Sequence, residues 1–351
     1  MTMGVAQNML DRISKALPED YGKIHINLPC IDKDSSGRVG VVIPSYRRPE
    51  YVEVFLKSLA KADLKNTVLC FVDESETDVV FDEYPGYRLY KSLDSPGNDL
   101  NRDQQCYNLP LAKIKKRCDN DNRCQGFNSL GYLKSKIRPS GELKDMSDSV
   151  CGLYVKENVA KALGMIKEPA PPTASGAETA VLIKEFEMAS VPMIKIFKRK
   201  HGNMFESLRL GWDLLKDILA CEYLCCLDSD TVVRKDWLIQ LRRIYRLIAQ
   251  KMSHPNFLLT GFNADSHRIL EEHDRYYIKA SVGGANLFYS SRIYSALRPS
   301  LHHIFWDHEM VNRIRLLKGK FFCVRPSVVQ HIGKQGLWSG RTYDVALDFQ
   351  G

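Results

Sequence analysis

The stretch Cys221-Glu-Tyr-Leu-Cys-Cys-Leu-Asp228-Ser-Asp230 is an apolar run that ends abruptly in two carboxylates. A short run of large and β-forming apolar residues is typical of a buried strand. In open α/β sheets, ligands bind outside the carboxyl ends of such strands. Two neighbouring aspartates there would repel each other unless a cation lay between them. The stretch therefore predicts a buried strand that delivers Asp228 and Asp230 to a cation site.

The Asp-x-Asp spacing is a weak signal by itself, since about one copy is expected by chance in a chain of this length. For Asp228 and Asp230, the alternative is a role as strand-end caps or turn formers. A second copy, Asp119-Asn-Asp121, lies in a polar stretch flanked by cysteines and is predicted to be a solvated turn.

Strands and helices alternate on both sides of this stretch. Apolar runs predict strands, and apolar residues at helical spacing predict helices. The predicted strands are 39–46, 67–72, 191–197 and 257–262, and the predicted helices are 50–62, 178–189, 203–219, 237–249 and 309–317. Such alternation favours an α/β fold whose central sheet is mostly parallel, with right-handed crossovers and flanking helices.

The alternation is interrupted by a segment rich in turn formers and cysteines, which predicts an inserted small α+β subdomain. A run rich in Pro, Ala, Ser and Gly then reads as a linker. The predicted division is an N-terminal extension at 1–36, a main domain at 37–75 and 178–351, an inserted subdomain at 76–165, and a linker at 166–177.

Nine of the ten cysteines fall into two groups. Those in apolar runs are predicted to be buried thiols: Cys70, Cys221, Cys225, Cys226 and Cys323. Those clustered in the insert allow three pairings, between which the sequence does not choose: Cys106, Cys118, Cys124 and Cys151. A zinc site there is disfavoured, because the segment lacks Cys-x-x-Cys spacing and histidine.

Composition is that of an ordinary globular protein rather than a disordered or membrane-spanning one. The net charge of +8 suits an anionic ligand but does not identify it. No nucleic-acid partner and no transmembrane segment are expected. The first residues, MTMGVAQNMLDRISKALPEDYGK, lack an apolar core, which predicts a cytoplasmic protein without a signal peptide or membrane anchor. Disulfide bonds in the insert would instead indicate a secretory-pathway lumen.

Five segments occur in the order of a known family. They are Val41-Val-Ile-Pro-Ser-Tyr-Arg47, Leu227-Asp-Ser-Asp230, Val282-Gly-Gly-Ala-Asn286, Trp306-Asp-His-Glu309 and Val324-Arg-Pro-Ser-Val-Val-Gln-His331-Ile-Gly333. The pattern resembles GT-A fold glycosyltransferases, in particular family 2 and N-acetylglucosaminyltransferase I-type enzymes. The resemblance covers 37–75 and 180–340. It implies a Rossmann-like GT-A domain that transfers a sugar from a nucleoside-diphosphate sugar, with a UDP-sugar favoured, to a hydroxyl of a glycan or glycoprotein.

The resemblance also implies a donor site. The loop after the first strand would receive the nucleobase and the ribose. Asp73 would hydrogen-bond the uracil, and the small-residue loop at Gly283 and Gly284 would lie near the sugar. The implied donor-binding residues are Pro44, Ser45, Tyr46, Arg47, Asp73, Asp228, Asp230, Gly283, Gly284 and Lys334. We also expect residues 201–203 to contact the donor, and Lys334 and Trp338 to belong to a lid over the site. The alternative for the lid is an exposed terminus.

The implied metal ligands are Asp230, which binds directly, and His331. Asp228 would hold the ribose, the metal through a water, or both. Carboxylates suit Mn²⁺ and Mg²⁺, and the added imidazole favours Mn²⁺. A lone histidine is also compatible with a structural, hydrogen-bonded role.

The implied base is Asp307, which would take the proton of the acceptor hydroxyl in an inverting displacement. Asp307 could equally cap the following helix. Glu309 is the rival base, because Trp306 stands where many family 2 enzymes carry an acidic residue. A retaining reaction would need neither carboxylate as base.

Two other functions remain open. A sugar-phosphate nucleotidyltransferase shares the α/β plan, but the loop after the first strand lacks the Gly-rich phosphate motif of that class. The other is a non-catalytic carbohydrate- or protein-binding protein built around the insert. Through Cys118–Cys124, Gly126-Phe127 and Cys151-Gly-Leu-Tyr154, the insert resembles a PAN/apple-type module, which implies acceptor recognition.

Overall fold

The structure is a computed structural model that describes residues 11–17, 21–28, 36–77, 81–101, 109–146, 151–165, 176–199, 204–252, 256–298, 306–334 and 345–350. The chain divides into two compact units. The first comprises Met1–Thr77, Ser175–Lys334 and Gly340–Gly351, and the second Asp78–Ala174 and Gln335–Ser339. The four-part division made from the sequence stays a prediction.

The strands are given in chain order. They are β1 (Tyr21–Asn27), β2 (Val39–Ser45), β3 (Thr67–Asp73), β4 (Tyr87–Lys91), β5 (Leu93–Asp94), β6 (Gly126–Asn128), β7 (Leu133–Lys134), β8 (Lys144–Asp145), β9 (Gly152–Lys156), β10 (Met193–Lys198), β11 (Tyr223–Leu227), β12 (Thr231–Val233), β13 (Phe257–Thr260), β14 (Ile269–Glu272), β15 (Tyr276–Lys279), β16 (Asn286–Ser290), β17 (Lys320–Val324) and β18 (Val329–His331).

The helices follow the same convention. They are α1 (Pro49–Leu59), α2 (Leu111–Asn120), α3 (Glu157–Ala162), α4 (Gly176–Glu185), α5 (Met204–Asp213), α6 (Trp237–Lys251), α7 (Ser291–Leu297) and α8 (Trp306–Leu316). A 3₁₀ turn spans Ser140–Glu142, and a π-helical turn, Leu214–Ile218, continues α5. Within the described ranges, no helix has the length and apolar character needed to cross a bilayer.

A ten-stranded sheet forms the centre of the first unit, in the order β1-β10-β3-β2-β11-β16-β13-β17-β15-β14. Strands β1, β15 and β16 run opposite to the others. The parallel strands β2, β3, β10 and β11 are buried along their whole length, as expected when helices cover both faces. The predicted α/β fold with a large, mostly parallel central sheet is confirmed.

Alternating strand residues build two apolar layers. Val41 and Ile43 of β2 belong to one cluster, together with side chains of α1, α4 and α6. Val42 of the same strand belongs to the other, together with side chains of α5, α7 and α8. Since successive strand side chains point to opposite faces, this alternation places helices on both sides of the sheet.

Most predicted elements of the first unit are observed, with shifted ends. The predicted helix at 50–62 ends at Leu59, and the strand at 257–262 ends at Thr260. The predicted helix at 203–219 changes to π-helical geometry at Leu214, and Ala220 behind it adopts a left-handed φ of 51°. Left-handed backbone does not continue a right-handed helix, so this segment ends there.

The second unit contains a four-stranded sheet in the order β4-β9-β6-β7 and the short pair β5-β8. A disulfide joins Cys118 to Cys124, whereas Cys151 is a buried free thiol. Cys106 lies outside the described residues. The predicted turn at Asp119–Asp121 is wrong for Asp119, which lies in the last turn of α2 and accepts a hydrogen bond from Lys115.

The cysteines predicted in the apolar runs of the first unit, at 70, 221, 225, 226 and 323, are buried free thiols, as expected.

Candidate active site

The candidate site lies at the carboxyl edge of the central sheet. Ser45 and Asp73 are paired residues at the ends of the parallel strands β2 and β3. Asp228 follows β11, which runs parallel to β2. The antiparallel strand β16 starts at the same edge, and the backbone N–H of Asp228 donates to the carbonyl of Ala285 at 3.0 Å. Four neighbouring strands thus bring the predicted donor and acidic residues to one edge.

Asp230 and His331 meet through a two-stranded ribbon. Strands β12 and β18 are antiparallel, with Thr231 opposite His331. Nε2 of His331 lies 3.3 Å from Oδ1 of Asp230. Burial alone would raise the pKa of Asp230, but the hydrogen bond and charge of His331 outweigh it and lower that pKa. Burial alone would lower the pKa of His331, but the hydrogen bond to Asp230 and the charge of that carboxylate outweigh it and raise this pKa.

Arg48 also contacts Asp230, which the sequence interpretation had not anticipated. Its Nη1 donates to Oδ2 of Asp230 at 2.8 Å. Arg47 and Arg48 both have left-handed φ values, of 46° and 82°, immediately before α1 begins at Pro49. Such conformations are costly for residues with a Cβ and concentrate at functional sites. The basic pair directly after a strand end was the available signal, but it also fits a solvated surface pair.

Asp228 has a different environment from its neighbour. Its Oδ1 is buried and accepts no hydrogen bond from any described residue. Burial, followed by the charge of Asp230, raises the pKa of Asp228 to about 7. A buried carboxylate with an unsatisfied oxygen is costly, so this atom is suited to a cationic or hydrogen-bonding ligand.

The donor set fits a divalent cation. Two carboxylates and an imidazole are ligands that Mn²⁺ accepts, and the unsatisfied Oδ1 of Asp228 provides a free oxygen. A Cβ built on Gly333 would meet Oδ2 of Asp230 at 2.1 Å, so only glycine leaves room for that carboxylate. In the part of the chain that the structure describes, no three His, Cys, Asp or Glu side chains already converge on one point. Asp230 is held instead by Arg48 and His331.

Asp307 lies beside the predicted glycine loop. Its Oδ2 accepts a hydrogen bond from the backbone N–H of Gly284 at 3.2 Å, and its Oδ1 accepts from the N–H of His308 at 2.8 Å. The charge of Asp307 also helps to raise the pKa of Asp228. Asp307 and Glu309 both lie in the first turn of α8, so Asp307 is not the N-cap of that helix.

The predicted nucleoside-binding loop is tied to the end of β3. Oγ of Ser75 donates to Oδ1 of Asp73 at 2.6 Å and accepts from the N–H of Arg47 at 2.7 Å. The guanidinium of Arg47 lies 5.1 Å from the centre of the Tyr46 ring. Burial raises the pKa of Asp73 to about 7, although the Ser75 hydrogen bonds oppose this shift. Pro44 is the penultimate residue of β2 and is opposite Val72.

The two predicted loop glycines contact different partners. A Cβ on Gly284 would meet Cζ2 of Trp306 at 2.8 Å, and a Cβ on Gly283 would meet Nε2 of His267 at 2.8 Å. Nδ1 of His267 in turn lies 2.7 Å from Oγ of Ser281. Sequence reasoning missed His267, which belongs to none of the five family-like segments.

The last described residues of the predicted lid lie next to the site. The backbone N–H of Lys334 donates to the hydroxyl of Tyr51 at 3.3 Å, and the Lys334 side chain is exposed. The N–H of Ile332 donates to the carbonyl of Asp230 at 2.8 Å. Trp338 lies outside the described residues, as do His201, Gly202 and Asn203.

Comparisons with known proteins give a weak sequence similarity to a glycosyltransferase. No family model matches the chain. The chain is 30% identical over 79 residues to "Putative glycosyltransferase R655" of Acanthamoeba polyphaga mimivirus, a stretch that is 22% of this chain and 23% of that protein. Among solved structures, it is similar to S. aureus TarS 1-349, with a TM-score of 0.36, 10% identity, and coverage of 83% of this chain and 59% of that one. This structural likeness is too distant to support a functional argument.

Proposed function

We propose that the protein is a metal-dependent glycosyltransferase that moves a hexose or pentose from a nucleoside-diphosphate sugar to a hydroxyl group. The observation that supports this most is the placement of Asp228, Asp230 and His331 at the carboxyl edge of the sheet, where the charge of Asp307 also acts on Asp228. A carboxylate pair at a strand end is suited to a diphosphate bridged by a cation. The sequence similarity to a putative glycosyltransferase points in the same direction.

Asp230, Asp228 and His331 would hold Mn²⁺ or Mg²⁺. When bound, the cation would neutralise charge that develops on the departing nucleoside diphosphate. In the structure, the Arg48 side chain forms an ion pair with Asp230, with Nη1 2.8 Å from Oδ2. Arg48 is therefore placed to move from the carboxylate to a phosphate, with its guanidinium matched to either anion.

The donor would lie along the edges of β2 and β3. Pro44, Ser45, Tyr46 and Arg47 would border the nucleobase and ribose, and the buried Asp73 would accept a hydrogen bond from the base. A UDP-sugar is favoured, since the uracil ring carries an N–H that can donate a hydrogen bond to a carboxylate. Gly283 and Gly284 would allow backbone to approach the sugar. Lys334, three residues after His331 and with an exposed side chain, would bind a phosphate.

Asp307 would act as general base on the acceptor hydroxyl in an inverting displacement. Its hydrogen bond from the Gly284 N–H fixes Oδ2 against the glycine loop at 3.2 Å. That contact would hold the carboxylate beside the loop proposed to approach the sugar, and a fixed position favours proton transfer. Glu309 lies in the same helical turn and is the alternative base.

The acceptor would be a glycan or glycoprotein recognised in part by the second unit. This unit has its own apolar clusters and the Cys118–Cys124 disulfide. Disulfides persist in oxidising compartments, so the bond supports a secretory-pathway lumen over the cytoplasm.

The test is a panel of UDP-, GDP- and CMP-sugars incubated with Mn²⁺, in which released nucleotide is measured. We expect slow hydrolysis of one donor class and its loss in Asp230→Asn. The control is Asp63→Asn. Asp63 is an exposed aspartate in the same unit, lies before β3 at the other edge of the sheet, and accepts a hydrogen bond from the backbone N–H of Lys65. The proposal would be refuted if no donor released nucleotide, or if Asp230→Asn hydrolysed the donor as fast as the wild type. Pyrophosphate release from nucleoside triphosphate and sugar phosphate would instead identify a nucleotidyltransferase.

A further inference from the structure

A second cationic feature lies on the first unit, on helix α6. A groove of about 400 Å³ is bordered by four arginines, Arg242, Arg243, Arg246 and Arg275, together with the aliphatic side chains of Ile239 and Leu247. We call this feature the arginine groove. Its volume falls within the range of small-molecule sites.

Arg242, which lines the arginine groove, contacts the opposite edge of the sheet from the candidate active site. Arg242 donates to the carbonyls of Lys65 at 3.0 Å and Gly37 at 2.8 Å. These two residues precede β3 and β2, whose other ends carry Asp73 and Ser45. None of the residues that line the groove belongs to the candidate active site.

Positive charge in the arginine groove is only partly compensated. Its described lining residues include no aspartate or glutamate. Burial and the charge of Arg246 lower the pKa of Arg242, although Glu222 and Asp63 nearby act in the other direction. Neither Glu222 nor Asp63 lines the groove. A bound anion would relieve this crowding of like charges.

We propose that the arginine groove binds a phosphate-bearing ligand. The planar guanidinium fork matches phosphate oxygens in a bidentate geometry, and several arginines can share one phosphoryl group. Arg242 is held by two backbone carbonyls and is thus pre-positioned, while Arg243 and Arg275 line the groove and are exposed. The same chemistry is offered by a soluble phosphate compound and by a phospholipid headgroup. Ile239, which is 44% exposed at the rim, would contact an acyl chain only in the second case.

The test uses Arg243→Gln/Arg275→Gln, which leaves the structural Arg242 in place. The control is Arg292→Gln/Arg313→Gln, two exposed arginines on α7 and α8 that remove the same charge. Binding of inorganic pyrophosphate is measured by calorimetry in metal-free buffer, which keeps it off the proposed cation site. Sedimentation with phosphatidylcholine vesicles, with and without phosphatidic acid, tests the lipid source.

We expect the wild type and the control variant Arg292→Gln/Arg313→Gln to bind at least one probe. The groove variant Arg243→Gln/Arg275→Gln should bind that probe at least about tenfold more weakly. Binding of pyrophosphate alone identifies a soluble ligand, and binding of acidic vesicles alone identifies a headgroup. Equal weakening in both pairs would show a nonspecific effect of net charge and overturn the proposal. So would failure of wild type to bind either probe. Nucleotide-sugar hydrolysis should be unchanged in both pairs, so this test is independent of the proposed function.

Discussion

His331 and Asp230 form a hydrogen-bonded pair, with Nε2 3.3 Å from Oδ1, at the end of the ribbon made by β12 and β18. The ribbon fixes the backbone of both partners, since Thr231 and His331 are directly opposite. The pairing explains why two distant segments of sequence contribute to one acidic cluster. Because His331 is the last residue of β18, the geometry of the acidic cluster also depends on the contacts that hold β18 in place.

Asp307→Asn should keep nucleotide binding but lose sugar transfer. An amide of the same shape still accepts the hydrogen bond from Gly284, yet it takes no proton from the acceptor. We expect kcat to fall by about 10²-fold or more, with UDP affinity unchanged by calorimetry. Glu309→Gln is the matched comparison from the same helical turn. Loss of kcat in Glu309→Gln alone would transfer the role of base to Glu309.

Gly284→Ala should impair the protein more than Gly283→Ala. The new methyl at 284 meets the buried ring of Trp306 at 2.8 Å, whereas the methyl at 283 meets the His267 imidazole, which is only half-buried. Overpacking of this kind costs about 1–3 kcal/mol, so we expect a lower free energy of unfolding for Gly284→Ala in urea. A larger loss in Gly283→Ala would show that the His267 contact is the rigid one.

Asp348 anchors the C-terminal segment 345–350 behind β18. Its carboxylate accepts hydrogen bonds from Ser327, Asn263 and Tyr277, and the N–H of Ala346 donates to Gln330 of β18. Asp348→Ala would leave these donors without their acceptor.

Asp348→Ala should therefore lower the free energy of unfolding by about 2–4 kcal/mol. Urea denaturation measures this, with the exposed Asp274→Asn as control. Because the segment supports the strand that carries His331, donor hydrolysis should fall as well. Wild-type stability in Asp348→Ala would contradict this role.

Asp73 should make stability depend on pH. Its folded pKa of about 7 lies above the ordinary value of 3.8 because the carboxyl is buried. Between these values the folded protein retains a proton that the unfolded chain has lost, so stability falls as pH rises toward 7. The loss reaches about 4 kcal/mol at most, at about 1.4 kcal/mol per pH unit.

Asp73→Asn removes this titration. The melting temperature of the variant minus that of wild type should therefore become more positive from pH 5 to pH 8. A difference that stays constant over this range would show that Asp73 titrates normally.

The fold was predictable because its signals are local. Apolar strands such as 39–46 and 67–72 and the amphipathic helix at 237–249 are encoded by neighbouring residues, and all three are observed with small shifts. The placement of acidic residues at strand ends follows from the parallel sheet itself, which brings Ser45, Asp73 and Asp228 to one edge.

The features that could not be predicted from the sequence depend on contacts between distant segments. The Arg48–Asp230 pair requires a left-handed backbone at Arg48, which the sequence did not signal. His267 reaches Gly283 from a loop with no motif of its own. The pairing of Cys118 with Cys124 could not be chosen from spacing, because four cysteines allow three arrangements.

Calorimetric titration of UDP into the wild-type protein, with Mn²⁺ and then with a chelator, tests the carboxylate–cation–diphosphate arrangement. We predict that UDP binds with Mn²⁺, and that chelation and Asp230→Asn each weaken this binding about tenfold or more. Asp63→Asn should bind UDP as the wild type does. Equal UDP affinity in the chelator, or in Asp230→Asn, would contradict the account.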